Sequence, residues 1–146
     1  MKRIILSLAA MLTIGAAAFA NNLPDGNAKA VATFKKEFSS AERVQWSEDN
    51  GYTRASFVLG GTRAIALFNS DGELLGSMRD LVYNQLPLMV ISTLEKRFTG
   101  SAIFDIRELI NGDGTRYKFT LEQKGKKYTA SVFPDGSIEE IRKIKK

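Results

Sequence analysis

Apolar residues along this chain switch twice between helical and extended spacing. Val31, Phe34 and Phe38 fall on one face of a predicted helix from Ala28 to Phe38, which Asn27 can cap and Ser39-Ser40 ends. Ile91, Leu94 and Phe98 repeat the stripe, with Pro87 in the first turn and Gly100 as the expected C-terminal cap. After each stripe the period drops to about two, first over Arg43 to Ser47 and then over Ile103 to Glu108. Hairpins follow: Gly60-Gly61 joins Tyr52–Leu59 to Thr62–Asn69, and Lys124-Gly125 joins Arg116–Gln123 to Lys126–Phe133. Glycine supplies the positive φ that two-residue turns require. Asp71-Gly72 and Asp135-Gly136 then lead into fourth strands near Glu73–Asp80 and Ser137–Ile144.

The two passages are copies. Val31, Phe34, Phe38, Val44 and Trp46 match Ile91, Leu94, Phe98, Phe104 and Ile106 at an offset of 60. Phe57, Gly61, Ala66, Phe68, Asp71 and Gly72 match Leu121, Gly125, Ala130, Val132, Asp135 and Gly136 at an offset of 64. The step predicts a four-residue insertion, expected in the loop Asn111-Gly112-Asp113-Gly114. The reading is α+β, two tandem α-β-β-β-β repeats at 27–81 and 86–146. A chain this size buries roughly 60 to 70% of its surface, enough for one core, so the repeats are read as halves of one domain over 21–146.

Turn register assigns faces, because residues opposite one another in a hairpin share a side. In the second copy Leu121, Phe119 and Tyr117 oppose Tyr128, Ala130 and Val132, a wholly nonpolar or aromatic face that should meet the helices. Its other face, Glu122, Thr120, Lys118 and Arg116 against Lys127, Thr129, Ser131 and Phe133, reads as solvated. In the first copy Phe57, Ala55 and Thr53 oppose Ala64, Ala66 and Phe68 on the core side. The opposite side mixes aromatic, aliphatic and arginine residues: Tyr52, Arg54, Ser56 and Val58 against Asn69, Leu67, Ile65 and Arg63. Tyrosine and arginine are favoured in contact patches, so Tyr52, Arg54, Val58, Arg63, Ile65 and Leu67 are the candidate protein-binding residues. The competing reading has this face covered by the basic tail, by the Asp80–Leu86 linker or by a second copy.

The N-terminus changes the setting. Lys2-Arg3, an apolar run from Ile4 to Phe19 and small residues before Asn21 form a secretory signal peptide over 1–20, cleaved after about Ala20. The run is shorter than the roughly 20 residues a spanning helix needs, so a periplasmic or secreted protein without stable membrane insertion is expected. Without cysteine, disulfides and lipoprotein anchoring are excluded. The formal charge is +5 for the whole chain. Residues 21–82 carry 7 basic and 8 acidic groups, and residues 83–146 carry 12 and 8, weighted to Arg142-Lys143-Ile144-Lys145-Lys146. That is too sparse for a nucleic-acid partner.

Histidine and cysteine are both absent, which removes Ser-His-Asp and Cys-His catalysis, the usual zinc sites and thiol redox chemistry. Glu42, Glu48 and Asp49 lie in polar contexts with no apolar pocket to raise a pKa. No enzyme and no cofactor are expected. Asn69-Ser70-Asp71-Gly72-Glu73 and Asn111-Gly112-Asp113-Gly114 lack the distal bidentate glutamate of a calcium loop and read as turns.

The helix ending in Phe38 and followed by AERVQW, the YTRASF strand, ALFNSDGELLG, Leu86-Pro87 and KKYTASVFPDGSI together resemble the PepSY-like, beta-lactamase-inhibitor-like (BLIP-like) proteins of Bacteroidetes-type bacteria. The resemblance covers residues 27–144, through Trp46, Phe57, Asp71, Gly72, Leu86, Pro87, Asp135 and Gly136. It implies one sheet of about eight antiparallel strands with two helices on one face. In beta-lactamase inhibitory proteins the free concave face grips a loop of the target, and PepSY-type domains are associated with restraint of peptidases. This chain lacks the inhibitors' disulfides. The leading expectation is an exported protein-binding module, an inhibitor or regulator of an envelope enzyme. The alternatives are a small-ligand or lipid-like carrier, with room left by Ala55, Ala64 and Ala66, and an envelope protein that self-associates through sheet edges.

Overall fold

The computed structural model describes residues 27–145, so the signal peptide expected over 1–20 lies outside the described residues. Helix α1 (Ala28–Glu37) precedes β1 (Glu42–Asp49), β2 (Tyr52–Leu59), β3 (Thr62–Phe68) and β4 (Leu74–Asp80). A 3-10 turn (Tyr83–Gln85) leads to α2 (Leu88–Arg97), β5 (Ala102–Asn111), β6 (Gly114–Gln123), β7 (Lys126–Val132) and β8 (Ile138–Lys143). The strands form one antiparallel sheet in chain order, β1 through β8. Cross-strand neighbours Ala64, Arg79, Glu108 and Tyr117 form one row from β3 to β6. Ala64 belongs to the core under α1 and Tyr117 to the core under α2, so both helices cover the same face.

The hairpin registers agree with the sequence pattern pair for pair: Phe57 opposes Ala64, Thr53 opposes Phe68, Leu121 opposes Tyr128 and Tyr117 opposes Val132. Both turn positions have positive φ in Gly60-Gly61 and in Lys124-Gly125, and also in Asn50-Gly51 between β1 and β2. The helix stripes are rotated from expectation. Ala30 and Phe34, and in α2 Val90 and Leu94, are the fully buried pairs, whereas Phe38, Ile91 and Phe98 pack at the margins of the cores. Phe98, rather than Gly100, is the C-cap of α2; Gly100 has positive φ in the turn that follows.

The insertion lies elsewhere than expected. The turns Asn50-Gly51 and Gly112-Asp113 each span two residues, and β5 and β6 have 10 residues each where β1 and β2 have 8. Two residues per strand preserve the alternation of faces, whereas an odd number would turn the strand over. Each first strand also carries a bulge with a non-glycine residue at positive φ, Arg43 (φ 53) and Asp105 (φ 53), six residues before the strand's end in both cases. The bulge adds a residue and reverses the alternation beyond it. Phe104, on the open-face side of its bulge, stacks under Lys127 with the ammonium 5.4 Å from the ring centroid. Ile106, past the bulge, enters the core. Phe104 is therefore not the counterpart of Val44.

The two cores differ in chemistry. Around Phe34, wholly excluded from solvent, lie Phe57 (4.9 Å between centroids), Trp46 (5.1 Å), Phe38 (5.3 Å) and Phe68 (6.4 Å). Edge-to-face contacts of this kind add to burial. Ala55, Ala64 and Ala66 lie under α1 in this cluster, so their small size admits the rings and leaves no room on the open face. The core under α2 is largely aliphatic, built on Val90, Leu94, Leu121 and Val132 with Phe119. Between the cores Glu108, buried, accepts from Arg79 Nε at 2.5 Å and from the Tyr117 hydroxyl at 3.2 Å. Satisfying both acceptor oxygens is what makes a buried carboxylate tolerable there.

Candidate functional site on the open sheet face

Alternation along β2 and β3 puts Tyr52, Arg54, Val58, Arg63, Ile65 and Leu67 on the side away from the helices, since Ala55, Phe57, Ala64 and Ala66 are buried beneath α1. The structure does not gather all six into one site. Arg54, Ile65 and Leu67 line a groove of about 540 Å3 that continues onto β4 and β5 through Leu75, Met78 and Leu109. Tyr52, exposed, stands at the β1–β2 hairpin end opposite Asp49. Val58 and Arg63 oppose each other at the other end of β2. There Asp80 lies between Arg63 (3.6 Å) and Arg107 (3.4 Å), a solvent-screened charge row.

Three registers build the groove. Ile65, Met78, Leu109 and Arg116 are consecutive partners across β3 to β6, giving an apolar row that ends on a cation. The neighbouring row, Arg54, Leu67, Gly76 and Asn111, has no side chain at Gly76. A Cβ there would meet the Ile110 carbonyl oxygen at 2.7 Å and the Asn111 Cβ at 3.2 Å, so the close passage of β4 against β5 requires glycine. A bulge between Leu67 and Phe68 in the β3–β4 pairing adds Leu75 to the groove wall. Arg54 forms no ion pair among the described residues, leaving its guanidinium available beside the apolar row.

Leu75, Met78 and Leu109 escape a reading by alternation alone. Bulges in β4 and β5 reset the faces, and the pairing of β4 with β5, which brings the two repeats together, has no short turn to announce it. The Leu74-Leu75 and Leu109-Ile110 doublets were the available signal.

Neither of the two segments of the chain expected as a cover lies over this face. The basic tail follows β8 at the far edge of the sheet, where Ile144 N–H donates to the Lys127 carbonyl at 2.9 Å. The linker turns to the helix side and buries Leu81 and Leu86 in the core under α2.

The open face of the second repeat is polar, as expected, and more tied together than a solvated surface. Glu139 accepts from the Ser131 hydroxyl (2.7 Å) and from Arg116 Nε (2.7 Å), and Ser131 is buried. The hydroxyl first and the guanidinium second hold Glu139 below the ordinary carboxylate range. Arg116 also lies 5.3 Å from the Phe133 ring. On the helix side, burial and then the charge of Glu108 push the Tyr117 phenol up.

Glu42, Glu48 and Asp49 stand exposed along β1. The Asn69 side-chain oxygen accepts from the Asp71 (3.0 Å) and Glu73 (2.9 Å) amides, and that of Asn111 from the Asp113 amide (3.0 Å), which is turn chemistry. Among the described residues no group of three acidic side chains is placed to hold a metal ion, and no helix is long and apolar enough to cross a membrane.

One eight-stranded antiparallel sheet with two helices on one face, the other face open, defines a BLIP-like fold. Solved structures carry the same arrangement. A BLIP-like protein from Bacteroides fragilis superposes with a TM-score of 0.76 at 20% identity, covering 88% of this chain and 93% of its own. A DUF2874 family protein from Bacteroides ovatus gives 0.75 at 22% identity over 83% and 89%. A candidate periplasmic protein from Bacteroides eggerthii gives 0.74 at 18% over 83% and 91%. No protein-family model and no curated protein matches the chain. The expected resemblance holds at the level of fold.

Proposed function

We propose that this chain is an exported, non-enzymatic module that binds another protein of the cell envelope through the open sheet face, as an inhibitor or regulator of an envelope enzyme such as a peptidase. In this reading residues 1–20 are removed and 21–146 form one domain. The observation that carries it is the apolar row Ile65, Met78 and Leu109, bordered by Arg54, which has no ion pair among the described residues, in a sheet whose two helices both pack on the other face. An arginine beside an aliphatic groove suits a protruding apolar side chain flanked by a carboxylate. The BLIP-like fold and the periplasmic description of one structural neighbour support the setting.

The test is co-purification from the native envelope with the wild type, with Arg54→Ala/Leu67→Asp, and with Lys29→Gln/Lys36→Gln on α1. The groove variant should lose the partner while its Tm stays within a few degrees, and the helix variant should keep it. Equal recovery by all three sinks the proposal. The same groove supports a second reading, a small-ligand or lipid-like carrier, because its volume is within the range of ligand sites. Native mass spectrometry separates the two: a bound mass that Leu67→Asp removes favours the carrier.

A further inference from the structure

A different corner of the molecule carries a different chemistry. The β6–β7 hairpin ends at Lys124-Gly125, and the last residues of β8 run beside the start of β7. Together Gly125, Lys126, Lys127, Lys143, Ile144 and Lys145 enclose a cleft of about 590 Å3 with no carboxylate in its wall. Lys126, Lys143 and Lys145 make no ion pair among the described residues. Lys127 alone has one, with Glu122 at 3.8 Å.

We propose that this lysine corner docks the protein onto an anionic lipid bilayer. Three observations favour a lipid surface over a nucleic acid or a phosphorylated protein. The cations of the cleft are all lysines on flexible stems, whereas the adjacent Arg142 is engaged by Glu140, so no guanidinium fork is offered for bidentate phosphate recognition. Ile144 is exposed among the ammonium groups, the mixture of apolar tip and surrounding cations that settles at a headgroup boundary. The cleft lies at the β7–β8 edge, several strands from the groove on β2 to β5, so a docked molecule and an occupied groove are separate events. Lysines near an anionic leaflet add attraction roughly per residue, screened by salt.

Vesicle co-sedimentation of the purified chain tests this, using phosphatidylcholine alone and with about one third phosphatidylglycerol, at low and at high salt. Binding should require phosphatidylglycerol and fall steeply with salt. Lys143→Gln/Lys145→Gln should weaken it about thirtyfold. Lys29→Gln/Lys36→Gln, with the same net charge, should weaken it less than about threefold. An unchanged Tm in both variants establishes that folding is not what is read. The proposal is overturned by binding indifferent to phosphatidylglycerol, by equal losses in the two variants, or by capture of dextran sulfate without capture of vesicles.

Discussion

The hydroxyl of Thr33 donates to the carbonyl of Gly72 at 2.7 Å, tying α1 to the turn between β3 and β4. Thr93 does the same to Gly136 at 2.7 Å, in α2 and the turn between β7 and β8. The two glycines serve more than a turn. A Cβ on Gly72 would meet the Lys29 carbonyl carbon at 2.6 Å and the Ala30 nitrogen at 2.7 Å, and one on Gly136 would meet the Met89 oxygen and Thr93 Oγ1, both at 2.7 Å. Asn27 completes the first joint: its oxygen caps the helix at Ala30 N (3.0 Å) while its amide donates to Thr53 Oγ1 (3.0 Å) and the Asn69 carbonyl (2.9 Å).

Gly72→Ala and Gly136→Ala should therefore cost more than a positive φ alone. Strain in the left-handed region and the clash with the helix together amount to about 2–5 kcal/mol. Gly60→Ala has the same φ problem but nothing within 4 Å of the new methyl, and should cost only about 1–2 kcal/mol. Urea unfolding of the three variants gives the ranking.

Phe34→Ala empties the centre of the aromatic cluster and should cost about 3–5 kcal/mol. Leu94→Ala, in the aliphatic core, should cost about 2–5 kcal/mol. Equilibrium denaturation measures both.

Alkaline pH probes the seam between the cores. The Tyr117 phenol is raised by burial and then by Glu108, so the folded state holds its proton beyond the pH at which the unfolded chain releases it. Its contribution is complete below the ordinary tyrosine value and is lost as pH rises through the raised one. Tyr83 is raised as well, by burial and then by Glu95, so tyrosinate absorbance should show two late-titrating groups, of which Tyr117→Phe removes one and Glu108→Gln moves that same one part of the way back.

Acid acts with the opposite sign. Glu139 and Asp135 are held below the ordinary carboxylate range, Glu139 first by Ser131 and Asp135 by the Ser137 hydroxyl and then its amide. Their contributions are present above the unfolded values and fade as pH falls through the folded ones. Ser131→Ala should flatten the acid limb of Tm against pH.

Much of this molecule is legible in its residues, and the unread part has a common cause. Gly60-Gly61 and Lys124-Gly125 fix two hairpins, and those registers sort Phe57, Ala66, Phe119 and Val132 to the helix side. Arg43 and Asp105 are different: neither residue announces the positive φ it adopts, so the bulges they make stay hidden, and with them the exchange of faces that separates Phe104 from Ile106. The half of the groove on β4 and β5 was lost for that reason, because Met78 and Leu109 join Ile65 only once the pairing of β4 with β5 is known. Ala55, Ala64 and Ala66 read as empty space in sequence and are in fact the floor on which Phe34 and its neighbouring rings pack.

The central proposal, that the uncovered groove is where this protein meets a partner, is tested most directly by photo-crosslinking in the native cell envelope. A benzoylphenylalanine replaces Leu67 or Leu109 in the groove, or Lys36 on the outer surface of α1. The account predicts one discrete crosslinked species shared by the two groove positions, absent from the helix position and suppressed by Arg54→Ala. Crosslinking from Lys36 alone, or from no position while the protein remains folded and exported, would contradict it.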